Sequence, residues 1–444
     1  MRAQRGELKR EVGFVSAAAL VVGEVIAVGI FLTPADMAKS LGSPLWLLAV
    51  WLVMGAMALS GALCYGELAA RFPEAGGGYV YLREAYGPRL AFLYGWKCFL
   101  VLDPGITAAL AVGLAGYAGY MADLSPLAGK LIGIAAILSL AALNILGVGR
   151  VAWLMRWLTV LKLGLLGLLV AWGFGMRLGD WSNFIPFVEQ RAGSSPLPGA
   201  LAGAMVAAFF SFGGWWDLSK IAGEVRDPAR TLPRALAAGV VIVTLVYILT
   251  SAVFVYLVPI EQVVSGETFA AQAGAALFGG RGGQVFSVIV IVSVLGSLSG
   301  VITTAPRVYY AMARDGAFFR SVSSLHPRFG TPARAIALQA GLASLLVAVG
   351  TFQQIISYFV FVTVIFIALT VAAVFRLRRR RGAPGSYLAP GYPVTPLAFL
   401  ALVTVLLFLL AGNSPVQALL GVGVVAIGAP VYDLIFRGKS DQKE

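Results

Sequence analysis

Residues 209–220 read FFSFGGWWDLSK. An apolar run that begins near Pro198 reaches two adjacent glycines, then two tryptophans, and then the charged residues Asp217 and Lys220. A glycine inside a helix costs about 1 kcal/mol relative to alanine, so a plain buried helix gains nothing from this pair. The stretch therefore raises the question of which function requires a helix that is interrupted here and followed by charged residues.

The composition predicts a membrane protein. Of the 444 residues, 59% are hydrophobic and 12% are charged, and the mean hydropathy is +0.88. Soluble chains carry about 25% charged residues. The two cysteines, Cys64 and Cys98, lie in apolar segments and do not indicate a disulfide framework. Because the hydrophobic periodicity is not that of a barrel, we expect an all-α integral membrane protein.

A transmembrane helix needs about 20 apolar residues, and we predict twelve such spans. The basic N-terminus, MRAQRGELKREVGF, leads into the first span without a small-residue cleavage site, so we expect a retained helix and not a signal peptide. The predicted spans are 13–33, 44–70, 90–121, 128–147, 152–175, 198–220, 235–259, 284–313, 334–350, 354–376, 393–412 and 415–436.

The basic residues predict the orientation of these spans. With a cytoplasmic N-terminus, 24 Lys and Arg residues fall in the inside segments and five in the outside segments. This bias predicts a multi-pass protein of the cell (inner) membrane with both termini in the cytoplasm and an even number of spans. The net charge of +13 is then mainly a topology signal. The run RLRRRR at 376–381 directly follows a span, which argues against nucleic-acid binding.

Several charged residues lie within or at the ends of predicted spans, where charge is costly and usually faces a bundle interior or a wet cavity. For Glu67, Lys220 and Arg307 we expect ion pairs near helix ends. Lys162 differs, because it lies well inside VAWLMRWLTVLKLGLLGLLVAW with no acid in its own helix. We predict an ion-replacing or proton-coupling role for Lys162.

The first span carries a second candidate break, where Gly23 and Gly29 flank the polar Glu24. Such glycines also allow close helix packing, and that interpretation stays open. However, interruptions in the first and sixth spans occupy corresponding positions of two five-helix halves, which is typical of a transporter's binding site. An unwound stretch leaves N–H groups that attract a carboxylate and carbonyls that attract an ammonium. The pattern predicts a site for a small zwitterion.

At this point several stretches resemble the amino acid–polyamine–organocation (APC) superfamily, and within it the bacterial relatives of the L-type amino acid transporters. The first of them is similar to the family signature V-G-x-x-I-G-S-G-I-F, and all five occur in the family's order. They are VGEVIAVGIFLTP (22–34), CYGELAARFPEAGGGYVYLREAYGPRLAFLYGW (64–96), SFGGWWDLSKIAGEVRDPARTLPRAL (211–236), RVYYAMARDGAFFRSVSSLHPRFGTPARA (307–335) and LAPGYPVTP (388–396).

The resemblance implies a LeuT-type fold with two inverted five-helix repeats and twelve transmembrane helices. The expected divisions are a cytoplasmic segment (1–12), the first repeat (13–175), the second repeat (198–376), two further helices (393–436) and a cytoplasmic tail (437–444).

The resemblance also implies an α-amino acid held between the first and sixth helices. Its carboxylate is expected at the N–H groups around Val28, Gly29 and Ile30, in the segment that also contains Ala27. Its ammonium is expected at carbonyls near Val25 and Ile26 and near Phe210 and Gly213. Phe210 and Phe212, on either side of Ser211, are expected to shape the pocket. Lys162 falls where relatives have a lysine that takes the place of a sodium ion between the first and eighth helices.

The chain departs from the family pattern at the first break. The usual Gly-Ser-Gly is here Ala27-Val28-Gly29, so the serine hydroxyl that often contacts the carboxylate is absent. Glu24 and Asp103 are candidates for contacting a cationic side chain or relaying a proton. The alternative is that Glu24 pairs with Lys97 or Lys220.

Other function classes find little support in the sequence. The single histidine, His326, lies in a loop, and neither a metal-ligand cluster nor a nucleophile elbow nor a Walker sequence is present. We therefore predict a protein that is not an enzyme and needs no cofactor, no metal and no obligatory protein partner. The predicted function is sodium-independent secondary transport of α-amino acids by alternating access, preferably as an exchanger. Proton-coupled amino acid or polyamine symport and a transporter-like sensor without flux are the alternatives.

Overall fold

The computed structural model describes residues 8–122, 124–263, 274, 277, 279–349, 360–380, 387–413 and 415–436. These residues form a bundle of helices. The described part of the chain contains no β-strand, and its one isolated β-bridge joins Val12 to Val225. The predicted all-α fold class is confirmed.

The first half of the chain supplies eight helices. They are α1 (Phe14–Val25), α2 (Gly29–Leu41), α3 (Pro44–Arg71), α4 (Gly78–Tyr86), α5 (Pro88–Lys97), α6 (Asp103–Ala122), α7 (Pro126–Ile145) and α8 (Val148–Gly175).

The described residues of the second half supply eight more. They are α9 (Leu197–Phe212), α10 (Pro228–Leu257), α11 (Gly282–Thr304), α12 (Pro306–Arg314), α13 (Ala333–Val349), α14 (Val360–Arg379), α15 (Val394–Asn413) and α16 (Pro415–Val431). A 3₁₀ segment, Trp215–Glu224, follows α9.

The described residues give ten or eleven membrane spans where the sequence predicts twelve. Ten helical stretches are long and apolar enough to cross a bilayer, and α1 with α2, bent by 47°, makes the eleventh. Helix α13 matches the predicted ninth span but has only 17 residues. The predicted tenth span begins in residues 350–359, which lie outside the described residues, as do 1–7 and 437–444 of the predicted terminal segments.

Two spans differ in shape from the continuous helices that we expect. The first does not end before Pro34, because α2 continues through this proline to Leu41 and stops at Gly42, which has a φ of 60°. The third contains a π-helical turn, Cys98–Leu102, directly before Asp103 and Pro104. Because proline lacks an N–H group, the helix loses one backbone bond there, and the wider turn accommodates the loss.

The packing places the two broken spans in the middle of the bundle. Helix α1 packs against α8, α10 and α11, while α2 packs against α9. Helix α10 lies along α3, and α11 lies along α6. Both interruptions are therefore surrounded by protein, where irregular backbone at membrane depth can be satisfied.

The ion pairs expected near helix ends are present. They are Glu67 with Arg378, Lys220 with Asp103 and Asp217, and Arg307 with Glu224. The last pair is completely buried, and Arg307 Nε donates to Glu224 Oε1 over 2.6 Å. The backbone N–H groups of Glu11 and Val12 donate to the Glu224 carbonyl. The segment before α1 is thus joined to the segment after the second break.

We predict that Arg307→Met destabilises the protein by about 3–5 kcal/mol, because it leaves the Glu224 carboxylate buried without its partner. The measurement is thermal unfolding of the purified protein in detergent. Arg230→Met is the matched control, since Arg230 and Asp227 form an exposed pair. The double variant Arg307→Met/Glu224→Gln should recover part of the loss. Equal melting temperatures for the two single variants would contradict the prediction.

Candidate substrate-binding site

The first break lies between α1 and α2. Helix α1 ends at Val25 and α2 begins at Gly29, so three residues, Ile26, Ala27 and Val28, have no helical continuity. The first N–H groups of a helix have no acceptor within it, and they carry partial positive charge. The N-terminus of α2 is therefore suited to an anionic group.

The second break lies directly after α9, which ends at Phe212. Gly213 has a φ of −56°, which any residue can adopt, whereas Gly214 has a φ of 108°. Only the second glycine of the pair is required for its backbone angle. The chain then turns into the 3₁₀ segment that carries Trp216, Asp217 and Lys220.

The two breaks contact each other. A Cβ atom built on Gly29 would lie 2.7 Å from Ser211 Cα, so this glycine allows α2 to approach α9 closely. The hydroxyl of Tyr247 on α10 lies 2.7 Å from the Ser211 carbonyl oxygen and 3.0 Å from that of Val25. The single proton of this buried hydroxyl is thus within hydrogen-bond distance of one backbone carbonyl from each broken span.

A cavity of about 110 Å³ opens at this junction. Seven of the ten residues predicted to bind substrate line it, and so does Glu24. The seven are Val25, Ala27, Val28, Gly29, Phe210, Ser211 and Gly213. Ile26, Ile30 and Phe212 lie outside the lining, and the ring of Phe212 packs against Trp51 and Tyr247 instead. The remaining wall is mostly apolar, with side chains from α6, α9, α11 and α14.

The carbonyls at the end of α1 already have donors. The Val25 carbonyl accepts from the Ala27 N–H group at 2.8 Å and from Tyr247. The Ile26 carbonyl accepts from the Lys162 ammonium at 2.6 Å and lies 3.3 Å from the Ser297 hydroxyl. Both oxygens therefore already accept hydrogen bonds from within the protein, and a carbonyl oxygen has only two lone pairs. The Phe210 carbonyl, which accepts from the Gly213 N–H group, retains one lone pair.

Lys162 occupies an oxygen cage between α1, α8 and α11. Its ammonium donates to the carbonyls of Gly23 (2.8 Å), Ile26 (2.6 Å) and Ser293 (2.9 Å). The side chain is fully buried. An ammonium has three N–H donors, so each proton has one carbonyl acceptor. The same three oxygens are within 3.3 Å of the Ser297 hydroxyl.

A polar cluster lies below the cavity. Lys220 Nζ is 3.1 Å from Asp103 Oδ1 and 3.0 Å from Asp217 Oδ1, and Tyr309 donates to Asp103 Oδ2 over 2.9 Å. Asp103 is therefore held within the protein and does not line the cavity, while Asp217 does. Glu24 pairs with neither of the lysines considered for it in the sequence. Its Oε1 accepts a hydrogen bond from Thr304 at 3.4 Å, and its Oε2 receives none.

Comparison with known proteins identifies the family of the chain. The family model described as amino acid permease matches residues 12–430. The chain belongs to this family. It is 31% identical to the serine/threonine exchanger SteT of Bacillus subtilis (strain 168), over 97% of the chain and 98% of that protein. It is 30% identical to the rabbit (Oryctolagus cuniculus) b(0,+)-type amino acid transporter 1, over 84% of the permease and 77% of that protein.

A third relative is the human large neutral amino acids transporter small subunit 2, which is 28% identical over 96% of the permease and 80% of that protein. The resemblance to the APC superfamily and to L-type members is therefore confirmed. The permease is a multi-pass membrane protein of a family of transporters and not of enzymes.

Sequence reasoning missed the residues that act on the breaks from other helices. Tyr247 lies in the mostly apolar run VIVTLVYILTS, and Ser293 and Ser297 lie in VIVIVSVLGSLSG. A hydroxyl group within a mostly apolar run was the available signal. Which backbone group it reaches depends on helix packing, which the run itself does not reveal.

The two adjacent glycines give a sharp test of this geometry. We predict that Gly214→Ala lowers the free energy of unfolding of the permease by about 1–2 kcal/mol, because alanine is strained at positive φ. Its Cβ would also lie 3.2 Å from Glu24 Cγ. Gly213→Ala should have a smaller effect, since its backbone is compatible with alanine. Melting temperatures in detergent compare the two, and an equal or larger decrease for Gly213→Ala would contradict the assigned break.

Proposed function

We propose that the permease exchanges α-amino acids across the membrane by alternating access and without sodium. The observation that carries this proposal is the Lys162 ammonium on three carbonyl oxygens from α1 and α11. Such oxygens would suit a hard cation. Because the fixed ammonium already supplies the positive charge there, the two helices need no imported ion to remain together.

The substrate would lie with its carboxylate at the N-terminus of α2 and its α-ammonium near the carbonyls of Phe210 and Gly213. The names of two relatives support an amino acid substrate. One is called a serine/threonine exchanger, and the other is called an amino acid transporter. The substrate amino acid would complete the backbone groups that both breaks leave exposed, which gives it differential affinity for a closed conformation.

Two contacts tie the segment after the second break to the rest of the bundle. Arg307 on α12 pairs with Glu224, and Val12, before α1, forms a β-bridge with Val225. Alternating access would require these contacts to separate when the cavity opens on their side. A ligand that bridges both breaks would bias this equilibrium.

The experiment is exchange in liposomes that contain the purified chain alone. Each amino acid is tested with the same amino acid unlabelled inside, in sodium and in choline buffer. We expect exchange of at least one amino acid at equal rates in the two buffers. Uptake that requires sodium, or the absence of flux for every amino acid, would contradict the proposal. The human relative is named a small subunit, and flux by the chain alone would show that no partner is required here.

Proton symport remains the second candidate, because the Glu24 and Asp217 carboxyl groups lie beside each other at the cavity. The same liposomes distinguish the two modes. A symporter gives net uptake into vesicles without internal amino acid when a pH gradient is imposed, whereas an obligate exchanger does not.

Lys162→Met removes the ammonium and keeps most of the stem. We predict at least about a tenfold decrease in exchange, because three buried carbonyls lose a charged donor. Lys130→Met is the matched control, since Lys130 is exposed and donates to the Ala348 carbonyl. If Lys162→Met exchanges like wild type in rate and in its response to sodium, the proposed role of Lys162 is wrong.

We also propose that the permease lies in the cell (inner) membrane with both termini in the cytoplasm. The support is the excess of 24 over five basic residues in the segments on that side. Alkaline phosphatase fused to the C-terminus should be inactive in a bacterial host, because it folds only outside the cytoplasm. An active fusion would reverse the orientation.

A further inference from the structure

Glu24 lies in a slot that two glycines create. A Cβ atom on Gly214 would be 3.2 Å from Glu24 Cγ, and one on Gly300 would be 3.2 Å from Glu24 Oε2. The side chain is 4% exposed and lines the cavity. The backbone at the second break and the surface of α11 thus leave room for a carboxylate at this position.

This carboxylate has no cationic partner in the described residues. Lys220 is engaged by Asp103 and Asp217. Lys97 directs its ammonium to the Thr363 hydroxyl, 3.3 Å away, and to the ring of Tyr94. Lys162 is held by its three carbonyls. No lysine near the cavity therefore neutralises Glu24.

The acidic groups outnumber the ion pairs that serve them. Asp103 and Asp217 both pair with the Lys220 ammonium, whereas Glu24 forms no ion pair with it. A buried charge without a partner is costly. A bound cation at Glu24 Oε2 would remove that cost, and the cavity gives it access.

We propose that Glu24 is the counter-ion for a cationic side chain, so that the permease carries basic amino acids. This rests on the function proposed above. Gly29, at the carboxylate end, and Glu24 line the same cavity from the two sides of the first break. The long stems of lysine, ornithine and arginine place a cationic group away from the carboxylate end, whereas serine and alanine carry no such group.

The size of the cavity fits this class. The cavity has a volume of about 110 Å³, well above the roughly 10–15 Å³ that admits a single water. The apolar wall from α6, α9, α11 and α14 suits the methylene stem, and Glu24 and Asp217 are the acidic groups of the lining. The α-ammonium retains the acceptors near Phe210 and Gly213.

The experiment uses wild-type protein in liposomes and measures how each unlabelled amino acid inhibits exchange of the best substrate. We expect arginine, lysine and ornithine to bind about 10- to 100-fold more tightly than serine, alanine or leucine, as expected for a hydrogen-bonded charge pair. Preference for neutral amino acids would overturn this inference while leaving the proposed function intact. The absence of any flux would overturn both.

Variants test the residue itself. Glu24→Gln keeps the shape and removes the charge, and it should lose the 10- to 100-fold preference, because basic amino acids lose more affinity than neutral ones. Glu24→Asp should retain part of the preference for basic amino acids. Asp36→Asn, which removes an exposed acid from α2, is the matched control and should behave as wild type. If Glu24→Gln weakens neutral and basic amino acids equally, Glu24 is not the side-chain counter-ion.

Discussion

The requirement that every backbone group at membrane depth has a hydrogen-bond partner determines how this permease is built. Helix α1 stops at Val25, which would leave its last carbonyls without acceptable donors. The ammonium of Lys162, the hydroxyl of Tyr247 and the hydroxyl of Ser297 meet them from three other helices. These polar side chains therefore stabilise the unwound segment, because they donate hydrogen bonds to carbonyls that the helix itself does not satisfy.

Hydrogen-bond partners also distinguish the carbonyls that stabilise the fold from the groups that are available to a ligand. The oxygens of Val25 and Ile26 accept hydrogen bonds from within the protein. The N-terminus of α2, the carbonyl of Phe210 and the carboxylate of Glu24 keep free capacity and face one cavity. The site for a charged solute therefore lies where backbone and carboxylate groups lack hydrogen-bond partners within the protein. Neighbouring backbone groups have such partners.

The glycines at and near the two breaks have different structural roles. Gly29 allows α2 to contact Ser211, Gly214 supplies a positive φ, and Gly300 leaves space for Glu24. The packing interpretation of these glycines and the interpretation as helix breaks are thus both correct, at different residues. Close approach brings the breaks together, and their irregular backbone then gives the cavity its polar wall.

The sequence by itself determined the membrane class, most span positions, the two breaks, the buried ion pairs of Glu67, Lys220 and Arg307, and the family, because these follow from local hydropathy, glycine spacing and motifs. It also singled out Lys162, since a charge inside an apolar span has few explanations. Only the tertiary structure decided which carbonyls Lys162 and Tyr247 reach, that Asp103 pairs with Lys220, and that Glu24 has no cationic partner among the described residues. Those facts depend on how helices distant in sequence pack, and periodicity within one helix carries no record of its neighbours.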